Sequence, residues 1–293
     1  MSAARKDRGA LPAPLSFAGG VLKESDGRER TWPLLALLGD PVAHSLSPAL
    51  HEAALRGEKI EGHYRCVRVS AADFPSCLAA ASAARVAGLN VTLPHKELAL
   101  QMSSRHSALA VRVGAANTLV RFAGGWEAHN TDVGGLQDAL LRHFPGRAWL
   151  RECAIVGAGG AARAALIALQ ELEATRVRVL ARAPARAGWA KSFGASVEEL
   201  ATATLDSLSL LIQATPLGLD PEDLSPVDPR ALPAGCAVMD LCYGPAPSRL
   251  LLAHESKGPV ADGRSMLRAQ AQRSFRLWFP DSRPEAFMQE VLP

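Results

Sequence analysis

The fold is decided by the stretch Cys153-Ala-Ile-Val-Gly157-Ala-Gly159-Gly160-Ala-Ala-Arg163, in which an apolar strand runs into a glycine-rich turn and then an alanine-rich helix. Gly157 permits a tight turn, Gly159 lets the backbone approach phosphate oxygens, and Ala162 lets the helix pack closely on the strand. The helix start offers free N–H groups and a positive dipole end to an anion. A second apolar strand at 176–180 follows at the spacing of a βαβ unit, which favours a dinucleotide site over a purely structural turn.

The segment after that second strand, Ala181-Arg182-Ala183-Pro184-Ala185-Arg186, indicates which dinucleotide binds. NAD sites usually carry Asp or Glu here for the ribose hydroxyls, whereas NADP sites carry arginine for the 2′-phosphate. The segment has no carboxylate, so we predict NADP, with Arg182 and Arg186 as phosphate ligands and NAD as the alternative. The competing interpretation is that both are surface arginines in an arginine-rich chain.

Length, composition and charge limit the fold and the partner. The chain has 293 residues, which is long enough for two domains with separate cores. Hydrophobic residues make up 48% and charged residues 21%, an ordinary globular balance. The net charge of +3, without a long run of Lys or Arg, argues against nucleic acid or an anionic membrane as partner. No apolar run approaches the roughly 18 residues of a membrane helix, so we expect a small-molecule partner.

The cysteines and the N-terminal segment indicate the compartment. The chain has five cysteines, an odd number without a C-x-x-C pair, so we expect neither a disulfide framework nor a zinc site. This pattern predicts a cytoplasmic protein. Residues 1–30 begin with basic residues, but proline, serine and glycine interrupt the apolar segment after them, so we expect a flexible extension rather than a signal peptide.

Alternating strand and helix patterns predict an α/β fold with mainly parallel sheets. Ser47-Pro48 is typical of a helix start, with the serine as cap and the proline in the first turn. The apolar spacing over 265–279 predicts a last helix, which we expect to return to the first domain. The other predicted strands lie at 34–38, 63–69, 88–91, 117–122, 126–128, 208–213 and 237–241, and the other helices at 72–85, after Pro94 and at 132–142.

Four polar clusters follow predicted strands in the first half of the chain, where open α/β sheets place their ligands. Together they supply hydroxyls, a carboxamide, an ammonium group and a carboxylate, the groups needed to bind a polyhydroxylated acid and to move one proton. The clusters are His44-Ser45-Leu46-Ser47-Pro48, Asn90-Val91-Thr92-Leu93-Pro94-His95-Lys96, Gly114-Ala115-Ala116-Asn117-Thr118 and Asn130-Thr131-Asp132.

These clusters resemble the shikimate dehydrogenase family, and the resemblance covers about residues 33 to 280 in the same order. It rests on GDPVAHSLSPALH, NVTLPHK, GAANTL, NTDVGG, GAGGAARA, ATPLGL, DLCYGP and MLRAQA, of which HSLSP and NVTLPHK together are specific to the family. The resemblance implies a reversible, NADPH-dependent reduction of 3-dehydroshikimate to shikimate in aromatic amino-acid (chorismate) biosynthesis. It also implies a substrate-binding domain of residues 31–131 and 264–293 and a Rossmann domain of residues 132–263.

The resemblance further implies the roles of individual residues. Lys96 would supply the proton to the ketone oxygen, and Asp132 would hold Lys96 and a substrate hydroxyl in register. Without the resemblance, the sequence would favour a structural interpretation of both residues: Lys96 as a solvated lysine at a helix start and Asp132 as a helix cap. The implied substrate ligands are Ser45, Ser47 and Tyr243 for the carboxylate, and Thr92, Asn117 and Gln270 for the ring hydroxyls. The implied cofactor ligands are Gly157, Ala158, Gly159, Gly160, Ala161, Arg182, Arg186, Thr215, Leu241 and Gly263.

Several positions depart from the family pattern. Ala181 and Ala183 replace the Asn and Thr that usually flank the arginine, so we expect a narrower preference for NADP. The other departures, which lie in or near the motifs, are Glu52, His129, Gln213, Arg264 and Ser265. They leave open a paralogue acting on quinate or an amino-substituted shikimate, and a non-catalytic nucleotide-sensing protein. We assign no metal site, because the mechanism needs none, and leave both a monomer and a homodimer open.

Overall fold

The computed structural model describes residues 12–220, 222–244 and 246–292, and these build two sheets. The first sheet has the strand order β3-β2-β1-β5-β4-β6-β8-β9-β7. Its centre, β1-β5-β4-β6, is parallel, and β8 and β9 continue it as an antiparallel pair. The strands are β1 (Leu15–Ala18), β2 (Val21–Lys23), β3 (Glu29–Arg30), β4 (Leu35–Gly39), β5 (Tyr64–Arg68), β6 (Gly88–Val91), β7 (Arg105–His106), β8 (Thr118–Phe122) and β9 (Gly125–His129).

The second sheet is entirely parallel and has the order β12-β11-β10-β13-β14-β15. The chain starts in the middle, adds strands to one side and then to the other, which is the 3-2-1-4-5-6 order of the Rossmann fold. The point where the order reverses lies between β10 and β13, where such folds bind dinucleotides. The strands are β10 (Glu152–Val156), β11 (Arg176–Ala181), β12 (Ser196–Glu199), β13 (Leu210–Gln213), β14 (Ala237–Asp240) and β15 (Val260–Ala261).

Helices cover both sheets and connect their strands. Ala162, Ala165 and Leu166 are fully buried on the helix after the glycine turn, which explains why this segment is rich in small apolar residues. The helices are α1 (Ser47–Gly57), α2 (Phe74–Ala83), α3 (Lys96–Met102), α4 (Ala108–Val113), α5 (Asp132–His143), α6 (Gly160–Glu171), α7 (Arg249–His254), α8 (Arg264–Trp278) and α9 (Glu285–Val291); a short-pitch segment spans Pro184–Phe193.

Helix α8 returns to the first sheet, as the sequence predicts. Phe275 and Trp278 are buried in a core shared with α1, β4 and β5, and Trp278 Nε1 donates to the Leu119 carbonyl of β8 at 3.0 Å. A Cβ at Gly135 would fall 2.8 Å from Gln270 Cβ, so this glycine lets α5 and α8 lie very close together. The contact brings Gln270 beside the start of α5.

The expectation of a flexible extension over residues 1–30 is wrong for residues 12–30, and residues 1–11 lie outside the described part of the chain. Strand β1 pairs with β2 and lies parallel to β5, which makes it part of the first sheet. Leu15, Phe17 and Leu22 are almost completely buried. Their alternation of buried and exposed positions is that of a strand with one covered face, and it outweighs the nearby proline and glycine residues.

Candidate active site

Lys96 and Asp132 form a largely buried ion pair, with Asp132 buried and Lys96 half-buried, at the carboxyl end of the first sheet. Lys96 begins α3 directly after β6, and Asp132 begins α5 directly after β9. Lys96 Nζ lies 2.7 Å from Asp132 Oδ2, with side chains only 17% and 6% exposed. Neither residue therefore fits the description of a solvated surface group.

Asp132 does not cap its helix. Thr131 occupies the cap position, and the residue before it, Asn130, satisfies the first free N–H groups, because its Oδ1 accepts hydrogen bonds from the backbone of Asp132 and Val133 at 3.1 and 3.3 Å. Asn130 Nδ2 donates in turn to the Ala115 carbonyl at 2.9 Å. Both carboxylate oxygens of Asp132 are thus available for side-chain partners.

Asn117 holds the second carboxylate oxygen. Its Nδ2 lies 2.9 Å from Asp132 Oδ1 and 2.9 Å from Thr131 Oγ1, while its Oδ1 accepts the Thr131 N–H at 2.7 Å. Gln270 Oε1 lies 3.3 Å from the same Nδ2. The structure therefore brings together Lys96, Asp132, Asn117 and Gln270, which come from four separate segments of the sequence.

A polar network that the sequence did not indicate lies behind these residues. Ser274 Oγ lies 2.7 Å from Thr118 Oγ1, 3.0 Å from Thr131 Oγ1 and 3.2 Å from Asn90 Nδ2. Asn90 Oδ1 accepts the Tyr64 hydroxyl at 2.8 Å. The only available signal was that Ser274 follows Gln270 by four residues, which places both on one face of a helix.

The predicted carboxylate ligands lie at the start of α1. Ser45 Oγ accepts the backbone N–H of Ser47 at 3.2 Å, and Ser47 itself is buried. The expectation that Ser47 caps the helix is wrong, because Leu46 occupies the cap position and no side chain caps this end. Burial raises the pKa of the Tyr243 phenol, and hydrogen bonds with Ser45 and the Leu46 backbone oppose that shift. Tyr243 follows β14, so residues from both sheets meet here.

Thr92 lies on the same side of the first sheet, directly after β6. Its backbone N–H donates to the Leu38 carbonyl at 2.9 Å. A Cβ at Gly39 would overlap Thr92 Cγ2. Gly39 thus allows the threonine side chain to pack directly on the end of β4, which fixes its position near the Lys96 helix.

The glycine-rich turn has the geometry that the sequence predicts. Gly157 has φ +127°, and a Cβ there would fall 2.9 Å from the Ala214 carbonyl oxygen, so the turn requires glycine. A Cβ at Gly159 would meet no atom within 4 Å. The space over Gly159 and the helix start behind it fit the pyrophosphate of a dinucleotide.

This turn adjoins the lysine. A Cβ at Gly160 would fall 3.2 Å from Lys96 Cδ and 3.4 Å from Lys96 Cβ. Lys96 therefore lies between the polar cluster of the first sheet and the start of α6. The arrangement places the Lys96 ammonium group beside the glycine-rich turn.

Other predicted cofactor ligands line the same edge of the second sheet. Thr215 follows β13, and the side chain of Gln213 fixes its loop by accepting the Thr215 N–H at 2.5 Å and donating to the Leu217 carbonyl at 2.6 Å. A Cβ at Gly263 would overlap the Leu241 carbonyl oxygen, so Gly263 and Leu241 are in direct contact. Ala158 and Ala161 are both half-buried in and after the turn.

Arg182 and Arg186 are both exposed at the end of β11. Arg182 lines an open surface cleft of about 700 Å³ with residues 199–201 and 224–228. Among the described residues, neither arginine forms an ion pair within 4 Å. The Arg182 guanidinium can therefore meet an anion that enters this cleft, which Glu199 and Asp228 also line, whereas Arg186 lies outside the lining.

Three departures from the family pattern make contacts of their own. Glu52 Oε1 accepts the backbone N–H of Tyr64 at 2.6 Å, which ties α1 to β5. His129 Nε2 lies 3.3 Å from Glu127 Oε1 on the same strand. Arg264 Nη2 donates to the Gly244 carbonyl at 2.8 Å. None of these contacts reaches Lys96 or Asp132, so they do not alter the pair.

Metal sites and membrane spans are the two remaining features of functional interest. In the described ranges, no group of three or more His, Cys, Asp or Glu side chains is arranged to hold a metal ion. No helix of those ranges is long and apolar enough to cross a membrane.

A Rossmann sheet, a glycine turn open to a pyrophosphate and a lysine–aspartate pair beside it define a two-domain, dinucleotide-dependent oxidoreductase. The family model of the shikimate dehydrogenase substrate binding domain matches residues 37–119. The shikimate dehydrogenase (NADP(+)) of Synechococcus sp. (strain JA-3-3Ab) is 40% identical over 258 residues, covering 84% of this chain and 87% of that protein. The chain belongs to the shikimate dehydrogenase family.

Two solved structures show the same fold. The shikimate 5-dehydrogenase of Thermus thermophilus, solved in complex with NADP(H) and shikimate, has a TM-score of 0.78 and 37% identity, covering 88% of this chain and 97% of that one. The quinate dehydrogenase of Corynebacterium glutamicum, solved in complex with NAD, has a TM-score of 0.77 and 28% identity, with coverage of 88% and 97%. Structures similar to this chain thus include one solved with NADP(H) and shikimate and a quinate dehydrogenase solved with NAD.

Proposed function

We propose that this protein is an NADP-dependent shikimate dehydrogenase, which reversibly reduces 3-dehydroshikimate to shikimate. The observation that carries the proposal is the position of Lys96, which contacts Asp132 on one side and adjoins Gly160 of the cofactor turn on the other. A reduction of this kind needs a hydride donor and a proton donor at the same carbonyl group. The arrangement supplies a place for both.

Lys96 is proposed to give the proton. Bound NADPH supplies the hydride for the ketone carbon, and negative charge then develops on the ketone oxygen. The Lys96 ammonium stabilises that charge and donates its proton. Asp132 Oδ2 accepts a hydrogen bond from Lys96 Nζ, which aims the ammonium group, while Asn117 keeps the carboxylate in place through Oδ1.

The remaining polar residues are proposed to orient the substrate. Ser45, Ser47 and Tyr243 converge near the start of α1 and would bind the carboxylate. Hydroxyl groups on the ring would contact Thr92, Asn117 and Gln270. Asn117 and Gln270 already lie within hydrogen-bond distance of each other, so the substrate meets a preformed set of donors and acceptors.

The cofactor site supports NADP. The end of β11 carries Arg182 and no carboxylate, and Arg182 lines the cleft beside that strand. The guanidinium group would pair with the 2′-phosphate. The NADP(+)-dependent relative at 40% identity is also closer in sequence than the quinate dehydrogenase solved with NAD at 28%. The proposed cofactor ligands are Gly157, Ala158, Gly159, Gly160, Ala161, Arg182, Arg186, Thr215, Leu241 and Gly263.

We propose the same domain division as the resemblance implies, with residues 12–30 added to the substrate-binding domain. The first sheet ends with β9, the second begins with β10, and α8 and α9 pack back on the first. We also propose a cytoplasmic location, which the free state of all five cysteines supports.

The test is the reduction of NADP⁺ by purified protein with shikimate, followed by nicotinamide absorbance. Quinate and NAD⁺ are assayed in parallel in all four combinations. We expect the highest kcat/KM with shikimate and NADP⁺. A higher value with quinate or with NAD⁺ would contradict the proposal and indicate a paralogue, and no turnover in any combination would indicate a nucleotide-binding protein without this activity.

A further inference from the structure

A chain of contacts connects the cofactor turn to the helix that carries Lys96. Trp189, in the segment after β11, donates its indole N–H to the carbonyl of Ala158 at 3.3 Å. The guanidinium carbon of Arg163 lies 4.7 Å from the centroid of the Trp189 ring. Arg163 Nε in turn lies 3.7 Å from Oε1 of Glu97, the residue after Lys96. Three contacts thus span from the glycine turn to α3.

Arg163 is held firmly in this position. It lies in the first turn of α6, and its side chain is only 20% exposed. Its Nη1 would lie 3.1 Å from a Cβ at Gly114, so the guanidinium fills the space that this glycine leaves beside α4. The aromatic ring on one face and the carboxylate at the edge are both attractive to a cation.

The contact with Glu97 is incomplete in this structure. Arg163 Nε is buried without a hydrogen-bond partner, and its distance to Glu97 exceeds that of a hydrogen bond. A shift of less than about 1 Å would convert the ion pair into a hydrogen bond.

We infer that Arg163 is a positioning residue, which couples the cofactor turn, through Trp189, to the placement of Lys96, through Glu97. This inference rests on the proposed function, because it assumes that Lys96 acts on a substrate beside the cofactor. The Arg163 backbone N–H donates to the Gly159 carbonyl at 3.0 Å within the helix start, but among the described residues its side chain forms no hydrogen bond with Lys96 or with the turn. Its effect passes through its two neighbours.

A second arginine provides a matched control. Arg112 of α4 donates to Glu171 Oε1 at 2.9 Å and so also links the first domain to α6. This pair lies at the opposite end of α6, away from the glycine turn. An arginine that merely joins the two domains would behave like Arg112.

The test is a double-mutant cycle on Arg163 and Glu97, with kcat measured at saturating shikimate and NADP⁺. We expect Arg163→Ala to lower kcat about tenfold and Glu97→Gln about threefold. The double variant should be no worse than Arg163→Ala, because the two residues act through one contact. Arg112→Ala should keep the wild-type kcat.

Trp189 variants supply the conservative rescue. Trp189→Phe keeps an aromatic face for the guanidinium but loses the indole N–H that reaches Ala158, so it should lower kcat less than Trp189→Leu, which loses both and should resemble Arg163→Ala. Thermal unfolding of every variant separates loss of stability from loss of positioning. The inference would be overturned if the losses of kcat in Arg163→Ala and Glu97→Gln multiplied in the double variant, or if Arg163→Ala kept the wild-type kcat.

Measurement of NADP⁺ binding tests the inference even if the proposed function is wrong. Calorimetric titration of NADP⁺ needs no substrate, and Arg163→Ala should raise the Kd about threefold because Ala158 is then held less firmly. If the wild-type protein does not oxidise shikimate, the proposed function fails, and the cycle is then evaluated from these Kd values. An NADP⁺ Kd that is the same in the wild type and Arg163→Ala would in that case overturn the inference as well.

Discussion

Gly160 and Lys96 are in van der Waals proximity, although they begin two different helices, α6 and α3. A Cβ at Gly160 would fall 3.2 Å from Lys96 Cδ, tighter than most side-chain contacts. The first residue of the cofactor helix thus bounds the space available to the lysine. A small residue at position 160 is therefore needed to leave room for the Lys96 side chain.

Gly160→Ala is expected to disturb the lysine. The added methyl group pushes Lys96 by a few tenths of an ångström, and we expect kcat to fall about three- to tenfold, because small displacements of a reacting group are costly. The measurement is steady-state turnover of shikimate. Gly188→Ala is the control, since a Cβ at Gly188 meets no atom within 4 Å, and a wild-type kcat in Gly160→Ala would contradict the prediction.

Gly159→Ala, at the neighbouring position, should weaken cofactor binding rather than displace Lys96. Gly159 has φ −89° and ψ −170°, a conformation that alanine adopts without strain. The methyl group would meet no protein atom, so only a bound phosphate could collide with it. We expect the Kd of NADP⁺ to rise about tenfold while the melting temperature stays unchanged.

Replacement of Lys96 tests the proton-transfer step. Lys96→Ala should lower kcat by about 10²–10⁴-fold, the range of positioned acid–base groups, with little change in NADPH affinity. We expect this loss because the contact with Asp132 at 2.7 Å holds the Lys96 ammonium group in place for the transfer. Lys257→Ala, at an exposed lysine, should have no effect. A wild-type kcat in Lys96→Ala would show that another residue donates the proton.

Arg182 tests the choice of cofactor. Arg182→Ala should raise the KM for NADPH far more than the KM for NADH, because only NADPH carries the 2′-phosphate. The loss of a charge-assisted hydrogen bond of about 1.5–3 kcal/mol corresponds to roughly a ten- to hundredfold change. Arg121→Ala, exposed on the first sheet, is the control. Equal changes in both KM values would show that Arg182 does not bind the phosphate.

Local patterns made much of the fold predictable. The strand at Gly88–Val91 and the helix at Arg264–Trp278 follow from a buried apolar run and from apolar spacing. The short strands β1 to β3 did not follow, because each has only two to four residues and β1 gains its place by pairing with β5, about 50 residues away. Such pairing is set by packing rather than by propensity.

The candidate site, like the fold, was only partly predictable from the sequence. Lys96, Asp132 and Asn117 stand in motifs, so the family resemblance indicated them. Ser274 stands in no polar motif, and its partners Asn90 and Thr118 lie 184 and 156 residues away. The packing of α8 on strands β6 and β8 of the first sheet brings them together, and no local pattern in the sequence contains that information.

The N-terminal strands should contribute to stability. Leu22 is 1% exposed within the first sheet, so Leu22→Ala should lower the free energy of unfolding by about 2–5 kcal/mol. The measurement is urea-induced unfolding followed by circular dichroism. Leu141→Ala removes a leucine that is 50% exposed and should cost under about 1 kcal/mol. If both substitutions lowered the free energy of unfolding equally, residues 12–30 would be better described as a flexible extension.

His51 should make the fold sensitive to acid. Burial lowers its pKa from 6.5 to about 3, and the nearby Asn90 side chain only partly offsets this. The ring stacks on Tyr64 at 4.4 Å, and neither of its nitrogens has a hydrogen-bond partner among the described residues. Between pH 6.5 and 3 the unfolded chain therefore binds a proton that the folded protein does not. Stability should fall with decreasing pH across this window, by at most about 1.4 kcal/mol per pH unit from this residue.

His51→Phe isolates the contribution of His51. Phenylalanine keeps the stacking and carries no unpaired nitrogens, so stability at pH 7 should be within about 1 kcal/mol of wild type. Its unfolding free energy should decline less than that of the wild type between pH 6.5 and 4.5, by about 2–3 kcal/mol. His63→Phe, at a ring that is 80% exposed, should decline like the wild type. Parallel curves for His51→Phe and the wild type would contradict the prediction, because they would mean that the imidazole has the same pKa in the folded and the unfolded protein.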